Sequence, residues 1–139
     1  MSSAFSAITF TSNVKAQQSK MGSRSAYAAH EQTAVDEAVL GPAEAEFIAA
    51  RDSFYLGTVG ESGWPYVQHR GGPAGFLKVL DAHTIGFADY TGNRQYISTG
   101  NIAGDNRVSL FLMDYPNQTR LKILGRTEVV TEESIPELF

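Results

Sequence analysis

From Phe54 to Val130 the chain repeats one pattern, in which short apolar stretches are each closed by turn residues such as glycine, proline, asparagine or aspartate. Such spacing marks strands rather than helices. Phe54 to Val59 reads as a first strand, and Gly60-Glu61-Ser62-Gly63 as its hairpin turn. The return strand, Trp64 to Arg70, alternates: Tyr66, Gln68 and Arg70 face one way, Val67 and His69 the other. Gly71-Gly72-Pro73 interrupts it. Gly75 to Leu80 and Thr84 to Ala88 make a third and a fourth strand across the turn Asp81-Ala82-His83. Arg107 to Met113 is a fifth. Arg120 to Val130 is a sixth, with Gly125 expected as a bulge or bend. Six strands at this spacing fit a closed or partly open antiparallel barrel.

Ahead of the strands the pattern is helical. Ser12 or Asn13 can cap a helix running through Val14 and Met21 to Gly22, whose missing Cβ suits a helix end. A weaker helix covers Ala26 to Val39. Gly41-Pro42 puts proline at the first position of a third helix, with Glu44 and Glu46 near the positive end of its dipole. Between the fourth and fifth strands, Tyr90 to Ser98 predicts a short helix following directly from a strand end. The expected class is therefore mainly β with flanking helices (α+β), with a helical leader over 1–46 and a barrel domain over 47–139. Ser134-Ile135-Pro136-Glu137 has the spacing of a helix start, yet the sequence stops at Phe139. That predicts either a chain that belongs to something longer or a short turn closing the domain.

Composition narrows the chemistry. The 139 residues include no cysteine, which removes thiolate catalysis, Cys-ligated zinc and disulfide scaffolds, and suits a reducing cytoplasm. No apolar run is long enough to span a bilayer, and Met1 to Thr11 lacks the basic flank of a signal peptide. A soluble, cytoplasmic protein without a membrane partner is expected. The net charge of −4 argues against general nucleic-acid binding. From Trp64 to Arg126, however, seven basic residues stand against four acidic ones, a local excess of +3 in a chain otherwise at −7. That imbalance points to a bound anion of limited size, or simply to strands that expose Arg and Lys.

Two basic sites stand out, Gln68-His69-Arg70-Gly71-Gly72 and Gly92-Asn93-Arg94-Gln95. Phosphate recognition uses guanidinium forks and free backbone N–H groups, and a helix N-terminus supplies the latter. Arg94 is expected in the first turn of the short helix, so its side chain and backbone could grip one phosphate. Gly71 and Gly72 would let the main chain approach a flat ring; the plain alternative is a surface arginine beside a bulge. Gly57, Gly60 and Gly63 belong to a hairpin, not to a dinucleotide loop, because no helix follows. His30, His69 and His83 lack ligand-like spacing, so no metal is expected. No side chain is a compelling proton donor, and the catalytic residues stay unassigned.

The stretches PYVQHRGGPAGFLKVLD, FADYTGNRQYISTGNI, NRVSLFLMDYP and RLKILGRTEVV together resemble the pyridoxamine 5′-phosphate oxidase-related FMN-binding proteins, over roughly Phe47 to Val130. TSNVKAQQSKMGSRSAYA is similar to the leader of one subgroup. The resemblance implies a six-stranded antiparallel split β-barrel and a homodimer with FMN in the groove between subunits. It implies that Arg70, with Arg94 and Gln95 and the neighbouring Asn93, binds the FMN phosphate. Gln68, His69 and Gly71 would then lie along the ring and ribityl chain. Arg120 falls near a position that faces the flavin in the vitamin-processing oxidases, and Gln95 stands where those oxidases carry lysine. Arg120 and Lys122 share one face of the sixth strand, either as a solvated face or as a cationic edge near the flavin carbonyls. The implied activity is an oxidoreductase passing hydride or electrons between a nicotinamide donor, NADH or NADPH, and a small-molecule acceptor. The alternatives are a non-catalytic flavin carrier or sensor, or a related barrel that binds another ligand such as haem.

Overall fold

The computed structural model describes residues 3–33, 39–89, 94–130 and 133–134, and the chain divides into two compact units, Met1–Val39 and Leu40–Phe139. The first unit holds α1 (Ser3–Thr9), α2 (Ser12–Met21) and α3 (Arg24–Thr33). α1 was not expected; its seven residues carry no charge in either end turn to announce it. Thr11, rather than Ser12 or Asn13, caps α2, its Oγ1 accepting the Val14 N–H at 3.3 Å. Gly22 ends that helix at φ +84, where a side chain would be strained, and the following Ser23 N–H reaches the Gln18 carbonyl at 2.8 Å. α3 starts two residues before the expected Ala26, and residues 34–38 of the expected helix lie outside the described residues. Arg24 joins α2 to α3: it donates to Gln18, pairs with Glu31 and lies 5.9 Å from the Phe10 ring centroid.

In the second unit Pro42 opens α4 (Pro42–Ala49), with Gly41 extended at the cap and Glu44 in the first turn. α4 buries Ile48 completely and lays Phe47 against the core, so the helix folds whole with the sheet rather than being divided after Glu46. Arg51 fixes its exit. Its Nε donates to the Phe47 carbonyl at 3.0 Å and its Nη1 to the Met113 carbonyl at 2.9 Å, while the guanidinium lies 4.3 Å over the Phe47 ring.

All six expected strands are present: β1 (Ser53–Val59), β2 (Pro65–Gly71), β3 (Lys78–Asp81), β4 (Thr84–Gly86), β5 (Arg107–Asp114) and β6 (Thr119–Arg126). Among the described residues they do not close into one barrel. β2-β1-β5-β6 form a four-stranded antiparallel sheet, and β3-β4 pair only with each other among the described residues. The division follows from Gly71-Gly72-Pro73: the chain leaves the edge strand there, and proline has no N–H to continue a ladder. The small hairpin instead meets the large sheet through side chains, with Val79, Ile85 and Phe87 packed on a core of Ile48, Phe54, Leu56, Phe76, Leu77, Val108, Leu110 and Leu112. Phe54 stacks on Phe76 at 5.8 Å and meets Phe87 edge-on at 5.1 Å. The expected bulge at Gly125 is absent; that residue pairs in register with Val108, and the irregularity lies between Val79 and Asp81.

The short helix is displaced. Tyr90 to Asn93 lie outside the described residues, and α5 spans Ile97–Gly104. Arg94 and Tyr96 have φ of +65 and +57, which no right-handed helix admits, so Arg94 lies ahead of the helix and not in its first turn. Among the described residues no helix is long and apolar enough to cross a membrane.

Two tests of this fold follow from its glycines and from Asp105. A Cβ on Gly72 would lie 2.8 Å from Phe76 Cγ, whereas one on Gly71 would meet His69 Cε1 at 3.4 Å and the Asp52 carbonyl at 3.5 Å. Gly72→Ala is expected to lower the unfolding free energy in urea by about 1–3 kcal/mol, as overpacking does, and Gly71→Ala by less than about 0.5 kcal/mol. Asp105, just past α5, accepts from the Arg107 N–H at 3.1 Å, its Nε at 2.9 Å and its Nη2 at 2.6 Å. The Arg107 side-chain hydrogen bonds, above all, hold the Asp105 carboxyl down at about 2. A carboxylate depressed in the folded state stabilises above its unfolded value of about 3.9, and that contribution is lost as pH falls through the folded value. Asp105→Asn should therefore flatten the stability profile between about pH 4 and pH 2 and leave it unchanged in shape above pH 5.

Candidate functional site

β2 inverts the usual alternation of a sheet over a core. Its half-buried residues are Tyr66, Gln68 and Arg70, and its exposed ones include Val67, at 64% exposure, and His69. Register explains the inversion: Phe54 pairs with Arg70, Leu56 with Gln68 and Thr58 with Tyr66, so three polar side chains share the face of a buried β1 row. Because β2 is an edge strand of the four-stranded sheet, that face gives the core a polar margin.

Three parts of the chain meet at this margin. From β2, Arg70 Nη2 donates to Gln68 Oε1 at 3.2 Å. From α5, the Ser98 hydroxyl donates to the same Gln68 oxygen at 2.6 Å, and Ser98 is 1% exposed. From the segment after β4, Asp89 accepts a hydrogen bond from Arg70 Nη1, and the Phe87 ring centroid lies 5.9 Å from the guanidinium carbon. The Arg70 side chain is only 15% exposed, while that of Asp89 is 57% exposed. Arg70 Nε is buried and has no hydrogen-bond partner among the described residues. A buried donor left unpaired costs about 1–3 kcal/mol, so an acceptor arriving at Nε gains more than it would at a hydrated arginine.

α5 is pinned to the sheet by two polar residues on one face. Ser98 reaches Gln68, and three positions later Asn101 Nδ2 donates to the buried Thr58 Oγ1 at 3.0 Å. Neither residue was singled out from sequence, although a polar pair at this spacing on a short apolar helix is a readable signal. Asp89 was counted there only as a charge.

The other expected residues lie elsewhere. Arg94 and Gln95 are exposed in the segment leading into α5, which bends at the positive-φ residues Arg94 and Tyr96. Asn93 lies outside the described residues. Gly71 ends β2 opposite Ser53, and the need for glycine at position 72 comes from Phe76. His69, Arg120 and Lys122 are exposed on the outer face, opposite the core. Register sets His69, Tyr55, Phe111 and Lys122 side by side across four strands. Tyr55 meets the His69 ring edge-on at 5.5 Å, and its hydroxyl lies 3.1 Å from that of Tyr115. That hydrogen bond raises the Tyr115 phenol above its usual range. Trp64 and Tyr115, at 77% and 61% exposure, flank the same region of sequence as the outer-face strands.

A protein-family model described as pyridoxamine 5′-phosphate oxidase matches residues 40–139, the extent of the second compact unit. No curated protein matches the chain.

The polar margin itself can be tested without any ligand. Gln68→Leu would leave the buried Ser98 hydroxyl and one side of the Arg70 fork without an acceptor, and is expected to cost about 1–3 kcal/mol of stability. Ser98→Ala removes only one of two donors to the Gln68 oxygen and should cost about 0.5–1.5 kcal/mol, both measured by urea unfolding.

Proposed function

Since the chain belongs to the pyridoxamine 5′-phosphate oxidase family, we propose that it is an FMN-binding oxidoreductase whose Arg70 cluster receives the phosphate of the flavin. The observation that carries this reading is the buried Nε of Arg70, without a partner among the described residues, beside a guanidinium fork already oriented by Gln68 and Ser98. A phosphate monoester fits that donor set, since its oxygens can take Nε and a terminal N–H together as a planar fork requires. Arg94, Gln95 and Asn93 add positive charge and donors from the segment ahead of α5. When bound, FMN supplies two-electron redox chemistry between a nicotinamide donor and a small-molecule acceptor, and the chain supplies binding, orientation and electrostatics.

The distribution of residues over two faces supports a site completed by two copies. Gln68 and Arg70 lie on the core face, whereas His69, Arg120 and Lys122 lie on the outer one. The outer face also carries Tyr55, Val67 and Phe111, an apolar and aromatic surface of the kind that a homodimer buries. In this reading the four-stranded sheet and the β3-β4 hairpin are the two parts of a split barrel. Gly71 and His69 lie along the ring and ribityl chain, and Arg120 and Lys122 bring positive charge to the carbonyl edge of the ring, where it favours the reduced anion.

The test is a pair of flavin titrations on the purified protein. Each charge-assisted hydrogen bond to phosphate is worth about 1.5–3 kcal/mol, so Arg70→Ala should weaken FMN about ten- to a hundredfold. Riboflavin, which lacks the phosphate, should bind both proteins alike. Equal losses for the two flavins would remove the phosphate assignment. Oxidation of NADH or NADPH by the FMN-loaded protein, with a turnover that a non-catalytic carrier would lack, tests the redox part.

A further inference from the structure

Resting on the phosphate reading above, we propose that Asp89 is an internal competitor for the Arg70 fork, a carboxylate that occupies the site in the free protein and is displaced when a phosphate binds. The two sides of the guanidinium are held very differently. On one side Nη2 is bound to Gln68, which a hydroxyl at 1% exposure fixes in turn. On the other, Nη1 is bound to a carboxylate on a side chain that is 57% exposed, in a segment beyond the last residue of β4 and outside regular structure. The anchored side is buried and the releasable side is wet.

Asp89 also leaves the fork incomplete. It engages Nη1 of the terminal pair and not Nη2, which Gln68 holds. A carboxylate seated squarely on the fork would take two parallel N–H bonds. A phosphate monoester carries about −1.5 to −2 charges at pH 7 and three acceptor oxygens, so it can span both terminal nitrogens and outbid a single carboxylate contact. Once displaced, Asp89 returns to water at small cost because it is already more than half exposed. Anion binding at Arg70 is thus an exchange of acceptors, and Asp89 lowers the affinity of every anion by the same factor while leaving an uncharged ligand unaffected. It keeps the guanidinium neutralised when the site is empty and sets the threshold a phosphate must exceed.

The inference is tested on the full chain by titrating FMN and riboflavin, read by flavin fluorescence, against the wild type, Asp89→Asn and Asp81→Asn. A partly exposed ion pair is worth a factor of roughly two to five, so Asp89→Asn should bind FMN about two- to fivefold more tightly, with riboflavin unchanged. Asp81→Asn removes the same charge from the end of β3 and should leave both affinities unchanged. FMN binding that is unaltered or weaker in Asp89→Asn overturns the inference, as does an equal gain in Asp81→Asn, which would mean net charge alone. If the wild type already prefers FMN to riboflavin, either of those results leaves the phosphate reading intact. If neither protein distinguishes the two flavins, phosphate does not reach Arg70 and both fall. If only Asp89→Asn distinguishes them, the competitor stands and the wild-type chain is not an FMN protein.

Discussion

Arg70 stands opposite Phe54 in the β1–β2 ladder, and Gln68 stands opposite Leu56. Phe54 and Leu56 are at 1% exposure and belong to the core that β1 and β5 share, so their direction is not negotiable. The partners across the ladder must face the same way. A slip of one residue would turn Gln68 and Arg70 to the outside and send Val67 and His69 in. On hydrophobicity alone that slipped register is attractive, because it would bury a valine and expose an arginine. The Gly60–Gly63 turn forbids it: the Gly60 N–H donates to the Trp64 carbonyl at 3.1 Å, and Gly63, at φ +83, closes the turn. The polar margin is thus imposed by a four-residue turn and two buried apolar side chains.

How much of this was legible depends on how far apart the cooperating residues lie. Strand identities, the hairpin at Gly60, the helix end at Gly22 and the proline start at Pro42 all rest on residues within a few positions of one another, and periodicity reports such things directly. The alternation of Tyr66, Gln68 and Arg70 against Val67 and His69 was legible too, but not which set faces inward, since that is decided by β1. The separation into a four-stranded sheet and a two-stranded hairpin was not legible, because strand pairing at long range leaves no periodic mark. Asp89 and Ser98 went unremarked for the same reason. Their meaning arises only where β2, the segment after β4 and α5 come together. The displacement of the short helix has a local cause that sequence hides: Arg94 and Tyr96 adopt left-handed dihedrals that glycine or asparagine would have announced.

Those two residues raise the energy of the segment ahead of α5. A non-glycine residue in the left-handed region costs about 1–2 kcal/mol, and a bulky residue such as tyrosine is a clear outlier there. The cost is borne next to helix α5, whose Ser98 and Asn101 are tied to Gln68 and Thr58. Such dihedrals persist only where the surrounding structure over-determines them, and the anchoring of Ser98 and Asn101 does so here.

Two half-buried arginines in the same unit make the clearest contrast. Arg51 gives Nε and Nη1 to the carbonyls of Phe47 and Met113, lies over an aromatic ring and sits 3.7 Å from Asp114. Its bonded acceptors are main-chain atoms of a helix and a strand, so no ligand can replace them without unfolding something. Arg70, at a similar 15% exposure, gives its terminal nitrogens to two side chains, and its Nε has no partner among the described residues. One of those side chains is mostly in water. Stability alone would favour the first arrangement at both positions, since a buried donor without an acceptor is a standing cost. In the proposed reading, a donor without a partner among the described residues distinguishes an arginine held ready for a ligand from one that holds the fold, a difference of partners that the residue type cannot display.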